Sequence, residues 1–118
     1  MSYEIVYYTK SNGRKPVREF LLDLKRANPR LFAKVLQGLD TLEVYGPGVS
    51  MPFARHMGDG IYELRSKSPD GISRVFYFFF AGQKVVLTNG FVKKTQKTPP
   101  AELKKAKRYK KDYEENHE

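Results

Sequence analysis

The run Phe76–Phe80, with the sequence FYFFF, constrains the fold most strongly because neighbouring side chains of a strand point to opposite faces of a sheet. A strand that is apolar at every position needs cover on both faces, so we expect a central strand. Two other β-rich runs, IYELRSK and KVVLTNGFV, flank it, and the turn sequences SPDG and GQ separate the three. The second half of the chain therefore predicts consecutive antiparallel strands.

The first half carries two helical patterns with apolar residues at helical spacing. Pro16 lies near the start of the first helix, Asn28 and Pro29 supply the cap and first position of the second, and YGPG ends it. The stripes are Val17, Phe20, Leu21 and Leu24, then Leu31, Val35, Leu39 and Leu42. These spacings predict two amphipathic helices in an antiparallel pair.

The remaining elements are shorter. We expect a first strand at Tyr3–Tyr8, a short strand near Met51–Arg55, and a last helix opened by Pro99 and Pro100 and capped by Thr98. The fold class is then α+β, a small twisted antiparallel sheet with the two N-terminal helices on one face and a C-terminal helix. We expect one domain over residues 1–118.

Composition excludes several kinds of site. The chain has no cysteine and two histidines, which predicts no disulfide, no thiol nucleophile, no metal site and no cofactor. The N-terminal MSYEIVYY lacks the features of a signal peptide, and no apolar run approaches the about 20 residues of a membrane helix. We therefore expect a cytoplasmic protein that does not enter a membrane.

Positive charge is concentrated near the C-terminus. The net charge is +9, and the range Lys93–Lys111 holds nine basic residues against one acid, Glu102. Such an excess predicts a polyanion or an acidic protein as partner. The alternative is a lysine-rich face that simply stays in solvent.

The register of the hairpins predicts the candidate site. A symmetric SPDG hairpin places Arg65 directly opposite Arg74, and a turn at Gly82–Gln83 places Arg74 opposite Phe91 and Asn89 opposite Phe76. Two opposed arginines repel, so we expect an anion between them, and phosphate matches the guanidinium fork. The alternative is that Glu63 neutralises one arginine as a diagonal pair.

Strand alternation then assigns the faces of the sheet. One face is predicted to carry Glu63, Arg65, Arg74, Asn89, Phe91 and Lys93. The opposite face, which the helices should cover, is predicted to carry Tyr62, Leu64, Val75, Tyr77, Val86 and Val92.

The segments GDGIYELRSK, GISRVFYFF and VVLTNGFVKKTQKTP together resemble the phage-derived Gp49-like, HigB-type branch of the RelE/ParE toxin superfamily. The resemblance implies a RelE-like sheet with two N-terminal helices and a toxin of a type II toxin–antitoxin pair. Its partner would be a helix-turn-helix antitoxin of the HigA kind, in a hetero-oligomer. The implied activity is metal-independent cleavage of translated mRNA on the ribosome, in which the ribose 2′-OH attacks the adjacent phosphate and leaves a 2′,3′-cyclic phosphate.

The resemblance also implies roles for particular residues. The catalytic candidates are Arg65 and Arg74 as phosphate stabilisers, Lys94 as phosphate clamp or leaving-group acid, and His56 as base or acid. The expected RNA contacts are Lys93, Lys97, Lys67, Lys104 and Arg108.

This chain departs from the family pattern at several positions. Asn89 stands where many relatives have histidine, and no tyrosine lies near the start of the last helix. The general base therefore stays open between His56 and Glu63, while strand alternation makes Tyr62 a core residue.

Two other functions are compatible with the sequence. A ParE-like toxin shares the fold and inhibits DNA gyrase by protein contacts, but ParE-like chains lack the cationic cluster. An RNA-binding module without catalysis also fits, because the base is unassigned.

Overall fold

The structure is a computed structural model that describes residues 2–94 and 97–117. Its elements, in chain order, are β1 (Glu4–Tyr7), α1 (Pro16–Ala27), α2 (Pro29–Tyr45), a 3₁₀ turn (Gly46–Gly48), β2 (Ala54–His56), β3 (Tyr62–Ser68), β4 (Gly71–Phe80), β5 (Lys84–Val92) and α3 (Pro100–Asn116). This order confirms the predicted succession of strands and helices and the α+β class. No helix within the described residues is long and apolar enough to cross a membrane.

The five strands form one mixed sheet in the order β1-β5-β4-β3-β2, so the FYFFF strand is central as predicted. β2 to β5 are antiparallel to their neighbours, but β1 runs parallel to β5. The prediction of a purely antiparallel sheet is therefore wrong at β1. A parallel neighbour needs a long connection instead of a hairpin, and much of the chain lies between β1 and its partner β5.

The helical stripes are buried as the spacing predicted. Asn28 caps α2 because its side-chain oxygen accepts a hydrogen bond from the Leu31 amide at 3.2 Å. The stripes of both helices share one core with the apolar residues of one sheet face, which are Tyr62, Leu64, Val75, Tyr77, Val85 and Leu87. This core fixes α2 beside β3, where the candidate site begins.

Helix α3 covers the opposite face of the sheet. Phe76 packs in a cluster with Ala106, and Phe78 packs in a cluster with Tyr113. The central strand is thus covered on both sides, as its composition required. The predicted cap is wrong: Pro99 occupies the cap position without a side-chain hydrogen bond, and the Thr98 hydroxyl donates to Glu63 instead.

The β4–β5 hairpin differs from the predicted register at its tip. Phe80 pairs with Lys84, so the turn has the three residues 81–83 instead of Gly82–Gln83 alone. A β-bulge then places both Thr88 and Asn89 opposite Phe76. The two one-residue shifts cancel beyond the bulge, and the pairing of Arg74 with Phe91 is confirmed.

Between the turn and the bulge the shift reverses the predicted faces. Val86 pairs with Phe78 and packs with it on the α3 side, so its predicted position under α1 and α2 is wrong. Val92 is also not covered, with 39% of its surface exposed at the end of β5. Next to the bulge, a Cβ on Gly90 would lie 2.7 Å from the ring of Phe20, so this glycine allows α1 to approach β5 closely.

Candidate functional site

The two arginines lie directly opposite each other in the β3–β4 ladder, as the hairpin predicted. On the outer strand, Arg55 pairs with Glu63, and because paired residues share a face, Arg55 lies on the same side of the sheet as the arginine pair. Lys93 follows β5 and is fixed by its backbone amide, which donates to the Ile72 carbonyl at 2.7 Å. We call Arg55, Arg65, Arg74 and Lys93 the basic cluster.

Arg74 is the buried member of this cluster, with 5% of its side chain exposed. Its Nη1 donates to the Ser73 carbonyl at 2.9 Å, and its Nε lies 3.4 Å from Glu63 Oε1. That second contact is between charges only, because Nε has no hydrogen-bond partner among the described residues. Burial lowers the pKa of Arg74, the nearby Arg65 lowers it further, and the Glu63 carboxylate opposes both. The guanidinium thus has Glu63 as its counter-charge and keeps one nitrogen without a hydrogen bond among the described residues.

Glu63 is buried beside Arg74 and supports the alternative that it neutralises one arginine. Its side chain is 2% exposed, and its other oxygen, Oε2, accepts a hydrogen bond from Thr98 Oγ1 at 2.7 Å. The carboxylate thus connects the basic cluster to the segment that enters α3. This placement holds Glu63 as a positioning group behind Arg74, away from solvent.

The charges of all other members of the basic cluster affect the pKa of Lys93. Burial lowers its pKa, and the positive charges of Arg74, Arg65 and Arg55 lower it further against the opposing effect of Glu63. A lysine in such surroundings gives up its proton more readily than an isolated one. Lys94 and Lys97 are exposed on either side of Thr95 and Gln96, which lie outside the described residues.

His56 is not brought together with the arginine pair. It pairs with Tyr62, and its ring centroid lies 5.0 Å from the Tyr62 ring. Tyr62 itself stacks on Tyr77 and packs against the core of α1 and α2, in agreement with its prediction as a core residue. Since Arg55 and His56 are neighbours on one strand, their side chains point to opposite faces.

The remaining predicted RNA contacts lie on β3 and on α3. Lys67 is exposed on β3 and shares the face of Arg65 by strand alternation. Lys104 and Arg108 are exposed on α3, where Arg108 lies over the Tyr109 ring at 5.8 Å. Other lysines of α3 form ion pairs, such as Lys107 with Asp59 at 3.2 Å. Exposed cations are therefore present on both β3 and α3.

Asn89 has a structural role in this chain. It is buried at the bulge, and its amide nitrogen donates to the backbone oxygen and to Oε1 of Glu102, both at 3.1 Å. These two bonds fix the first turn of α3 to β5. The asparagine in place of histidine thus holds the helix that follows the cationic segment.

Sequence reasoning missed Arg55 as a member of the site. The expected strand near Met51–Arg55 overlaps the observed β2, Ala54–His56, at its last two residues, and its pairing partner was unknown. The signal lies in the register of β2 with β3, which puts Arg55 opposite Glu63. A three-residue edge strand is too short for its own pattern to reveal which face each residue takes.

Comparison with known proteins identifies the family. Residues 22–111 match the family model described as phage derived protein Gp49-like (DUF891). No curated protein matches the chain. The matched range includes α2, the four antiparallel strands and most of α3, and with them the whole basic cluster. The chain belongs to the phage-derived Gp49-like family, which is part of the RelE/HigB-like toxin group.

Proposed function

We propose that this protein is the toxin of a type II toxin–antitoxin system and acts as a metal-independent endoribonuclease on translated mRNA at the ribosome. The observation that carries the proposal is the buried Arg74, opposed to Arg65 and next to Lys93, with a guanidinium nitrogen that no described residue satisfies. Buried cations are normally paired and hydrogen-bonded. A phosphate bound here would neutralise positive charge that the single carboxylate of Glu63 leaves uncompensated.

The chemistry follows from the charge of the reacting phosphate. The ribose 2′-oxygen forms a bond to phosphorus while the bond to the 5′-oxygen breaks, which yields a 2′,3′-cyclic phosphate and a 5′-hydroxyl. Negative charge builds up on the pentavalent phosphorus, where Arg65 and Arg74 would stabilise it. The leaving 5′-oxygen takes a proton, which Lys93 would supply because its lowered pKa makes it a better acid. Lys94, the next residue, would bind the phosphates of the RNA backbone.

The proton of the 2′-OH needs a base, and the two candidates stand differently in the structure. His56 lies on the opposite face of the edge strand, with its ring tilted against that of Tyr62, and Glu63 is buried behind Arg74. Phosphate stabilisation by the basic cluster is therefore the part of the mechanism that the geometry supports. Catalysis by positioned charge alone still gives large rate effects, since one such donor is worth about 10²–10³ in rate.

The distribution of charge supports a large RNA partner. The net charge of +9 and the exposed cations Lys67, Lys104 and Arg108 provide contacts to phosphates without base specificity. We propose that ribosomal RNA and mRNA occupy this surface in the active complex. In the resting state a HigA-like helix-turn-helix antitoxin would bind the toxin in a hetero-oligomer.

The experiment is inducible expression in a bacterium followed by mapping of mRNA 5′ ends. Wild-type protein should create new ends within coding regions, and an Arg65→Ala, Arg74→Lys variant should not. Arg26→Ala is the matched control, because this arginine lies 82% exposed on α1 away from the cluster. Growth arrest with intact transcripts would contradict the proposal and favour gyrase inhibition. If expression causes no growth arrest and no cleavage, the proposal is contradicted and a binding module without catalysis is favoured.

A further inference from the structure

A cavity of about 660 Å³ opens between α2 and the outer side of β3, and we call it the α2–β3 groove. Its size lies within the range of about 300–1,000 Å³ that is usual for small-molecule and cofactor sites. Arg65 and Arg74 of the basic cluster both line it, so the groove is continuous with the proposed phosphate site. Any ligand in the groove would therefore sit next to that phosphate.

The charge of the groove has one sign. Lys34 on α2 and Lys67 on β3 join the two arginines in its lining, and none of the described lining residues is acidic. Between these cations the walls are mostly apolar, with Leu64 and Ile72 among them. An apolar slot surrounded by cations is complementary to a flat ring carried on an anionic chain.

Phe53 provides an exposed aromatic side chain in this slot. Its side chain is 63% exposed, although its backbone is held on both sides: its amide donates to the Ser50 carbonyl at 2.9 Å, and its carbonyl accepts from the Arg65 amide at 2.7 Å. The backbone of Phe53 is thus fixed beside that of Arg65, and Phe53 lines the groove. Single-stranded RNA bases stack on such aromatic faces.

Gln37 on α2 adds a polar group to the groove. It is exposed, and its side-chain amide offers both donors and an acceptor, as base edges require. Thr41, one turn later, also lines the groove and donates its hydroxyl to the Gln37 carbonyl at 3.0 Å, which leaves the hydroxyl oxygen as an acceptor. An aromatic plane and an amide on the facing helix are the two elements that read an unpaired base.

We propose that the α2–β3 groove binds the nucleobase of the nucleotide next to the phosphate held by Arg65 and Arg74, with Phe53 stacking on the base and Gln37 bonding to its edge. The proposal rests on the proposed function in taking RNA as the substrate. It goes further in assigning base recognition to Phe53 and Gln37, which do not belong to the basic cluster. Base preference would then reside in α2 and Phe53, while the basic cluster holds any phosphate.

The test is fluorescence anisotropy with a labelled single-stranded RNA whose riboses carry 2′-O-methyl groups, which prevents attack by the 2′-oxygen. Phe53→Ala should weaken RNA binding about tenfold, the effect of losing one stacked base. Tyr45→Ala is the matched control, because this aromatic residue is 64% exposed on α2 and does not line the groove. Its RNA affinity should stay within about twofold of the wild type.

A second probe separates base from phosphate. An abasic sugar–phosphate oligomer of equal length should bind wild type and Phe53→Ala equally, whereas Arg65→Ala should weaken both oligomers. Equal RNA affinity of wild type and Phe53→Ala would overturn the proposal. If a hexaglutamate peptide then binds the groove in a Phe53-dependent way, the groove takes an acidic peptide and not a nucleobase. A base-dependent loss in Phe53→Ala would support it even if the wild type cleaves no transcript, in which case only the proposed endonuclease would fail.

Discussion

Substitution of Glu63 by alanine should destabilise the fold strongly, because it leaves Arg74 buried without a counter-charge. The two charged groups are 3.4 Å apart, with side-chain exposures of 5% for Arg74 and 2% for Glu63. At that distance and an effective dielectric constant of about 20, the attraction is roughly 5 kcal/mol. Part of it only offsets desolvation, so we expect Glu63→Ala to lower the free energy of unfolding by about 3–5 kcal/mol.

The assay is urea unfolding followed by far-UV circular dichroism, with a variant that replaces both partners as control. Because the penalty comes from the unpaired charge, replacing both partners by Glu63→Leu and Arg74→Met should restore stability to within about 1 kcal/mol of the wild type. A Glu63→Ala variant within about 0.5 kcal/mol of the wild type would refute the reasoning, since the pair would then contribute nothing.

Three further predictions concern the support of the site. Thr98→Val should cost about 1–2 kcal/mol of unfolding free energy by removing the donor to Glu63 Oε2, whereas Thr41→Val, which loses an exposed bond on α2, should cost less than about 0.5 kcal/mol. Leu42→Ala should cost about 2–5 kcal/mol because Leu42 is fully buried under the sheet, and Val44→Ala, 54% exposed on the same helix, serves as its control in thermal unfolding. If Lys93 acts as the protonated acid, the cleavage rate should fall with rising pH at a pH below the ordinary lysine pKa of 10.5. In a pH–rate profile, Lys93→Arg should move this fall to higher pH, because arginine keeps its proton. An alkaline limb unchanged in Lys93→Arg would exclude Lys93 as the acid.

The sequence predicted the elements that short-range signals specify. The SPDG turn and the alternation of β3 and β4 were sufficient to place Arg65 opposite Arg74, because a tight hairpin fixes the register of the strands that it joins. The burial of the α1 and α2 stripes likewise follows from a helical period that is visible in the chain.

Features that depend on distant contacts were not predictable in this way. The bulge at Thr88 and Asn89 responds to packing against α3 and α1, and its position leaves no local pattern. The parallel direction of β1 and the face taken by His56 depend on which strand each edge strand meets. Thr98 is a good cap residue by type, but a buried carboxylate competes for its hydroxyl.

The sequence predicted which cationic side chains form the site, but not all of the residues that contact them. Arg65, Arg74 and Lys93 follow from register and spacing along the chain. The pairing of Glu63 with an arginine was one of the two alternatives that the register left open. The burial of Glu63 and the place of Arg55 opposite it depend on packing and on the pairing of β2, which a single sequence does not report.

The central claim is that the basic cluster stabilises a phosphate attacked by the neighbouring 2′-oxygen. The most direct measurement is mass spectrometry of the RNA ends formed by purified protein on mRNA-programmed ribosomes. The account predicts 2′,3′-cyclic phosphate and 5′-hydroxyl ends, formed by the wild type and strongly reduced in Arg74→Lys, which keeps the charge but loses the guanidinium fork. Ends with 3′-hydroxyl and 5′-phosphate groups, or equal cleavage by Arg74→Lys, would contradict it.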